Sequence, residues 1–168
     1  MSELAVTFDF GQTLTELDCD LLASRLAEKN VTAEAARLEA ALPEAWAEYN
    51  RHCGGPSGSH PWHLLMGCLL REAGVAAEEI EAAVAWLWSE QPKVNLWRKP
   101  IPGMIELVRR VKAGGTTVAV ISNSEGRLAQ LAMELGWQDD FAVIADSGLL
   151  GFSKPGPQIF EWTSKEIH

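Results

Sequence analysis

Three polar clusters in this chain carry side chains able to do covalent chemistry on a phosphoryl or carbon centre. They are Asp9 with Gly11 and Thr13, Ser122 with Asn123, and Lys154. Asp9 ends the apolar run Leu4 to Phe8. A carboxylate held there, beside backbone amides and the Thr13 hydroxyl, can act as a nucleophile. Gly11 lets the backbone turn sharply and come close to a ligand. Ser122 can hydrogen-bond an oxygen of a bound phosphoryl group, and Lys154 can neutralise charge on that group and on Asp9. Taken singly, each cluster has a plainer reading. An Asp can cap a turn, Ser-Asn ahead of a helix can be an N-cap, and a lysine beside a proline can be a surface charge.

The elements that must position these groups are legible in outline. Leu4 to Phe8 fits a strand buried on both faces of a parallel sheet. Thr116 to Ile121 is a β-branched strand closed by Ser122 and Asn123, and Phe141 to Ala145 is a third strand. Strand carboxyl ends in a parallel sheet meet at one edge, where ligands bind, so the three clusters can converge despite their separation in sequence. Between the first and second strands, apolar residues recur at helical spacing. Helices are expected over 15–30 (Leu17, Leu21, Leu22, Leu26), over 33–50 with Pro43 as a kink, after Pro61, and over 76–90. After residue 100, helices are expected from Pro102-Gly103 to Lys112, from near Glu125, and from Pro157, with a loop over 148–153. The fold class is α/β, a Rossmann-like parallel sheet core with an inserted all-helical domain. Residues 1–14 and 99–168 make the core, and 15–98 the insertion.

The residues Phe8-Asp9-Phe10-Gly11-Gln12-Thr13-Leu14, Val120-Ile121-Ser122-Asn123 and Gly151-Phe152-Ser153-Lys154-Pro155-Gly156-Pro157-Gln158-Ile159-Phe160 occur in that order, and Ile101-Pro102-Gly103 marks the return to the core. This combination resembles the haloacid dehalogenase-like hydrolase superfamily, in the subclass with a helical cap after the first core strand. The resemblance implies Asp9 as a nucleophile forming a covalent aspartyl intermediate, with Ser122 and Lys154 as its catalytic stabilisers. It also implies Thr13, Asn123 and Gly11 at the substrate, and Mg²⁺ in the phosphate-handling members, held here by Asp9 and the Gly11 backbone carbonyl.

Composition sets limits on the partners. The chain has 168 residues, 47% hydrophobic and 22% charged, enough for a packed core and too apolar for general disorder. A net charge of −9, from 14 basic and 23 acidic residues, argues against nucleic acid or an anionic membrane as the main partner. A small-molecule substrate is the expected partner. Cys19, Cys53 and Cys68 show no C-x-x-C spacing and read as reduced thiols of a cytoplasmic protein. Five of the seven tryptophans, Trp46, Trp62, Trp86, Trp88 and Trp97, fall in the insertion, where Trp62 with His60 and His63 is the candidate to face a substrate.

Two features depart from the resemblance. Phosphatases of the superfamily place a second Asp, a general acid/base, two positions after the nucleophile, and here that position is Gly11. The acidic motif that follows a later strand and completes the Mg²⁺ site has no counterpart before His168, so the expectation is of an incomplete chain. The leading expectation is a phosphatase of a small phosphorylated metabolite. The alternatives are a 2-haloacid dehalogenase-type hydrolase and a non-catalytic binding protein. A phosphonoacetaldehyde hydrolase would need a cap lysine, and Lys29 and Lys93, the lysines of the insertion, lie in no recognisable motif. The first strand is expected at a sheet edge, carries no proline or lysine to discourage pairing, and makes self-association possible.

Overall fold

The computed structural model describes residues 4–52 and 61–167. Along the chain the elements are β1 (Ala5–Phe8), β2 (Thr15–Glu16), α1 (Cys19–Ala27), α2 (Ala35–His52), α3 (Pro61–Glu72), α4 (Ala77–Glu90), β3 (Lys99–Pro100), α5 (Met104–Ala113), β4 (Thr117–Ser122), α6 (Leu128–Glu134), β5 (Val143–Asp146), α7 (Ser147–Leu150) and α8 (Pro157–Ile167). The chain forms two compact units, Met1–Leu17 with Trp97–His168, and Asp18–Leu96.

The first unit is α/β. Its sheet is parallel, in the order β1-β4-β5, with Phe8 opposite Val120 and Ser122 opposite Asp146. Side chains of β4 alternate between two buried faces, as the two-residue period of a strand requires. Val118 and Val120 join Ile105 and Val108 of α5 and Leu128 and Leu131 of α6 in the larger core. Ile121 points the other way, with Ala145 of β5, against Ile159 of α8. Continuous burial of β4 is what its β-branched sequence predicts.

The same expectation fails for the first strand. Leu4 is 71% exposed, Thr7 is exposed, and the other residues of β1 are only partly buried. The reason is position. Among the described residues β1 pairs with β4 alone, so it lies at the edge of the sheet. An apolar run reports burial potential, and an edge strand realises only part of it.

The helical reading of 15–30 also needs correction. Thr15–Glu16 form a two-residue antiparallel ribbon with Lys99–Pro100, and the Thr15 hydroxyl donates to the Trp97 carbonyl at 3.0 Å. The helix begins only after Asp18, whose carboxylate accepts the Leu21 N–H at 2.9 Å as an N-cap. Two further differences lie past β4. The helix expected near Glu125 starts at Leu128, and the loop expected over 148–153 opens with the short helix α7. Both trace to one carboxylate, Asp146, described below.

The second unit is all helical. Neighbours α1 and α2, α2 and α3, and α3 and α4 pack against one another. Leu38, Ala41 and Ala45 recur at helical spacing on α2 and are buried. Helix α2 continues through Pro43. Cys68 is buried on α3, and that burial pushes its thiol pKa up, which keeps it protonated and unreactive at neutral pH. Cys19 is likewise free and buried, while Cys53 lies outside the described residues.

Candidate functional site

The β1–β4 register carries Asp9 one residue past the Phe8–Val120 pair, at the carboxyl end of the sheet, and Ser122 is the last residue of β4. Lys154 follows α7 in the loop leading to α8. Its ammonium Nζ lies 2.7 Å from Asp9 Oδ2, with the carboxylate half-exposed and the lysine mostly covered. Asp9 Oδ1 accepts the Phe10 N–H at 2.7 Å. Two of the clusters distant in sequence therefore meet, and the carboxylate is oriented from both of its oxygens.

The segment after Asp9 is wound on the Phe10 carbonyl, which accepts the N–H groups of Leu14 at 2.8 Å and Thr15 at 3.1 Å, while the Gln12 N–H donates to the Thr15 carbonyl at 2.7 Å. Gly11 lies within this turn, between the Phe10 carbonyl and the Leu14 N–H that donates to it. The left-handed residue is Gln12, at φ 60°, and Gly11 lies outside that region. A Cβ built on Gly11 would sit 3.5 Å from Trp97 Cδ1, an ordinary contact, so space for a side chain exists beside the indole. Thr13, half-buried, lies within this turn.

Ser122 is buried. Asn123, next along, uses its side chain on the main chain of Lys154: its Nδ2 donates to the Lys154 carbonyl at 3.0 Å, and its Oδ1 accepts the Lys154 N–H at 2.8 Å. The Lys154–Pro155 peptide is cis, which the residue pattern does not announce.

Asp146 escapes the sequence reading. It ends β5, is 1% exposed, and takes three backbone N–H groups: Gly126 at 3.0 Å and Gly148 at 2.9 Å on Oδ1, and Leu128 at 2.9 Å on Oδ2. This one carboxylate delays the start of α6, begins α7, and fixes the loop carrying Asn123. The two loops touch main chain to main chain, since a Cβ on Gly148 would fall on backbone atoms of Glu125 and Gly126. The rule that strand carboxyl ends carry polar function points to Asp146 only when the strand runs one residue past Ala145, as it does here. Hydrogen bonds to a charged group contribute about 1.5–3 kcal/mol each. Asp146→Ala is expected to lose about 3 kcal/mol or more, a Tm drop on the order of 10 °C by calorimetry. A Tm within 2 °C of wild type, on the order of measurement scatter against that shift, would show that water replaces the carboxylate.

The aromatic candidates in the helical unit pack on themselves. Trp62 is buried, its ring centroid 5.1 Å from that of Trp88 and 5.6 Å from that of His63. His60 lies outside the described residues. Lys29 Nζ sits 5.0 Å from the Trp86 ring centroid, and Lys93 Nζ is 2.6 Å from Glu90 Oε1. Lys93 is largely exposed and paired with a carboxylate, whereas an imine-forming lysine is a desolvated, neutral amine.

A protein-family model described as haloacid dehalogenase-like hydrolase matches residues 4–166. The chain belongs to this family. As a haloacid dehalogenase-like hydrolase it bears out the resemblance drawn from its three motifs, and with it the α/β class and parallel core. It is 26% identical over 165 residues to haloacid dehalogenase-like hydrolase domain-containing protein 3 of Bos taurus, covering 92% of this chain and 65% of that protein. It is 34% identical over 71 residues to a bifunctional riboflavin kinase/FMN phosphatase of Arabidopsis thaliana, covering 41% of this chain and 19% of that one. The chain thus spans less than two-thirds of either relative. Among solved structures it is similar in fold to the HAD-hydrolase YfnB of Bacillus subtilis, bound to magnesium, with TM-score 0.55, 16% identity, and 98% and 74% of the two chains covered. No helix among the described residues of this haloacid dehalogenase-like hydrolase is long and apolar enough to cross a membrane.

Proposed function

We propose that this chain is a phosphatase-type hydrolase of a small phosphorylated metabolite, with Asp9 as nucleophile. The observation that supports it is the Asp9–Lys154 pair at the carboxyl end of the sheet, 2.7 Å apart, with Ser122 closing the adjacent strand. One oxygen of Asp9 attacks phosphorus, the bond to the leaving oxygen breaks, and that oxygen takes a proton from solvent. Water then attacks the phosphorus of the aspartyl phosphate, releasing phosphate and restoring the carboxylate. Lys154 offsets the negative charge of both partners as they approach, and the Ser122 hydroxyl donates to a phosphoryl oxygen. The Phe10 N–H holds the carboxylate in one rotamer throughout.

Mg²⁺ takes near-octahedral oxygen coordination and commonly uses one or two carboxylates with substrate phosphate and water. Among the described residues no group of three or more His, Cys, Asp or Glu is placed to hold a metal. Asp9 and the Gly11 carbonyl are the donors this chain would offer, two protein oxygens that leave the rest of the shell to substrate phosphate and water. When bound there, Mg²⁺ would add positive charge against the phosphoryl oxygens.

Hydrolysis of p-nitrophenyl phosphate, measured with Mg²⁺ and with excess chelator, tests the reading. Turnover stimulated by Mg²⁺ is the expected result. Release of halide from 2-chloropropionate without phosphatase activity would favour the dehalogenase-type reading, in which a departing halide needs no proton. No turnover of either compound would favour a binding protein.

A small molecule is the substrate proposed, and a second copy of the chain is the partner proposed for the open edge of β1. Among the described residues that edge has no strand neighbour, and β1 carries no proline or lysine to blunt it. Size-exclusion chromatography of the 168-residue chain is expected to show concentration-dependent self-association. A sharp monomer peak at all concentrations, with a cooperative melt, would mean that the edge is covered otherwise.

A further inference from the structure

Lys154 is the long side chain of the site. Four rotatable bonds separate its ammonium from its backbone, so the 2.7 Å approach to Asp9 depends on where the Lys154 main chain is fixed. That segment is a loop, outside any helix or strand. Its N–H and its carbonyl both bond to the side chain of Asn123, at 2.8 and 3.0 Å. A carboxamide has the donor and acceptor of a peptide unit, so Asn123 acts as one further rung of sheet beyond the end of β4. Its orientation is set by its partners, since an N–H can only donate and a carbonyl can only accept. Asn123 is in turn held on both flanks. Ser122 pairs with Asp146 in the sheet. The Ser124 N–H donates to Ser147 Oγ at 3.0 Å, and that hydroxyl donates back to the Ser124 carbonyl at 3.2 Å.

We propose that Asn123 is a positioning residue for Lys154, holding the ammonium on Asp9 through the lysine's main chain. This rests on the reading of Asp9 and Lys154 as the reacting pair, and it moves Asn123 from substrate contact to scaffold. Asparagine is the side chain the geometry requires. Aspartate keeps the acceptor for the Lys154 N–H but sets a carboxylate oxygen against the Lys154 carbonyl with no proton between them. Alanine loses both bonds.

The test is a double-mutant cycle on p-nitrophenyl phosphate turnover with Mg²⁺, joined to crystal structures of the variants. A misplacement of about 1 Å costs on the order of 10²-fold. Asn123→Ala is therefore expected to lower kcat/KM by about that factor when Lys154 is present, and by less than about 2-fold in a Lys154→Ala background, because two residues acting through one contact are not additive. Asn123→Asp should fail to restore the rate. In the Asn123→Ala crystal the Lys154 Nζ to Asp9 Oδ2 distance should open beyond ion-pair range, with Tm close to wild type because Asn123 is exposed. An equal loss in both backgrounds, or an intact Lys154–Asp9 contact in the Asn123→Ala crystal, would overturn the proposal. Wild-type turnover that survives Asp9→Asn counts against the nucleophile reading instead, and the crystal comparison then decides the role of Asn123 independently.

Discussion

Asp9→Asn is expected to abolish turnover, by on the order of 10⁴-fold or more, the scale on which removal of a nucleophile is felt. The same substitution should leave the fold in place. The Asn side chain still offers an oxygen to the Phe10 N–H, which the carboxylate accepts at 2.7 Å. What it loses is the pairing with Lys154, and Asp9 is 45% exposed, so that pair contributes at most about 1 kcal/mol to stability. The signature is an inactive protein with an unshifted melt, read by stopped assays and calorimetry on the same preparation. An Asn variant that turns over at the wild-type rate would remove Asp9 from the mechanism.

The second large effect runs in the opposite direction. Gly11→Asp should raise hydrolysis of alkyl phosphates by ~10²–10⁴-fold, the usual range for general acid catalysis. The substitution is open on both steric counts. Gly11 is not in the left-handed region, where a Cβ would be strained, and its nearest neighbour would be Trp97 Cδ1 at 3.5 Å. Alkoxides are poor leaving groups without a proton, whereas p-nitrophenolate leaves readily, so the gain should be large for alkyl and small for aryl phosphates. Equal gains on both classes would point to tighter metal or phosphate binding. No gain in a variant that melts like wild type would mean that a side chain at position 11 does not reach the leaving group.

The pairing of Asp9 with Lys154 was legible because parallel strands deliver their carboxyl ends to one edge, a rule that needs only strand identity and order. The α/β class followed from the same alternation of elements. Features that depend on partners far along the chain were hidden. A two-residue ribbon such as Thr15–Glu16 with Lys99–Pro100 has no period to detect, so the helical spacing of its neighbours reads straight through it. The edge position of β1 is expected from the family resemblance and not from its apolar sequence, which is the same whether one neighbour flanks it or two. Asn123 and Asp146 were ambiguous for a chemical reason: Asn and Asp serve caps, turns and sites with the same atoms, and only the identity of the N–H and carbonyl groups opposite them tells which. At Gly11 the chain turns where the sequence places a turn, while the positive φ of that segment falls on Gln12.

The pairing of β1 with β4 also sets an order of events at the ribosome. Ala5 lies opposite Thr117, with the whole helical unit between them in sequence, whereas β5 follows β4 after a single helix. Synthesis at about 5–20 residues per second leaves β1 waiting for several seconds before β4, its one strand neighbour among the described residues, emerges. The helical unit has time to fold by itself during that wait, and doing so brings the two ends of a long loop under constraint, which lowers the entropy cost of the later closure. The strand that leads into Asp9 is thus made well before the strand it docks on, so the nascent chain spends that interval with an apolar segment for a chaperone to hold.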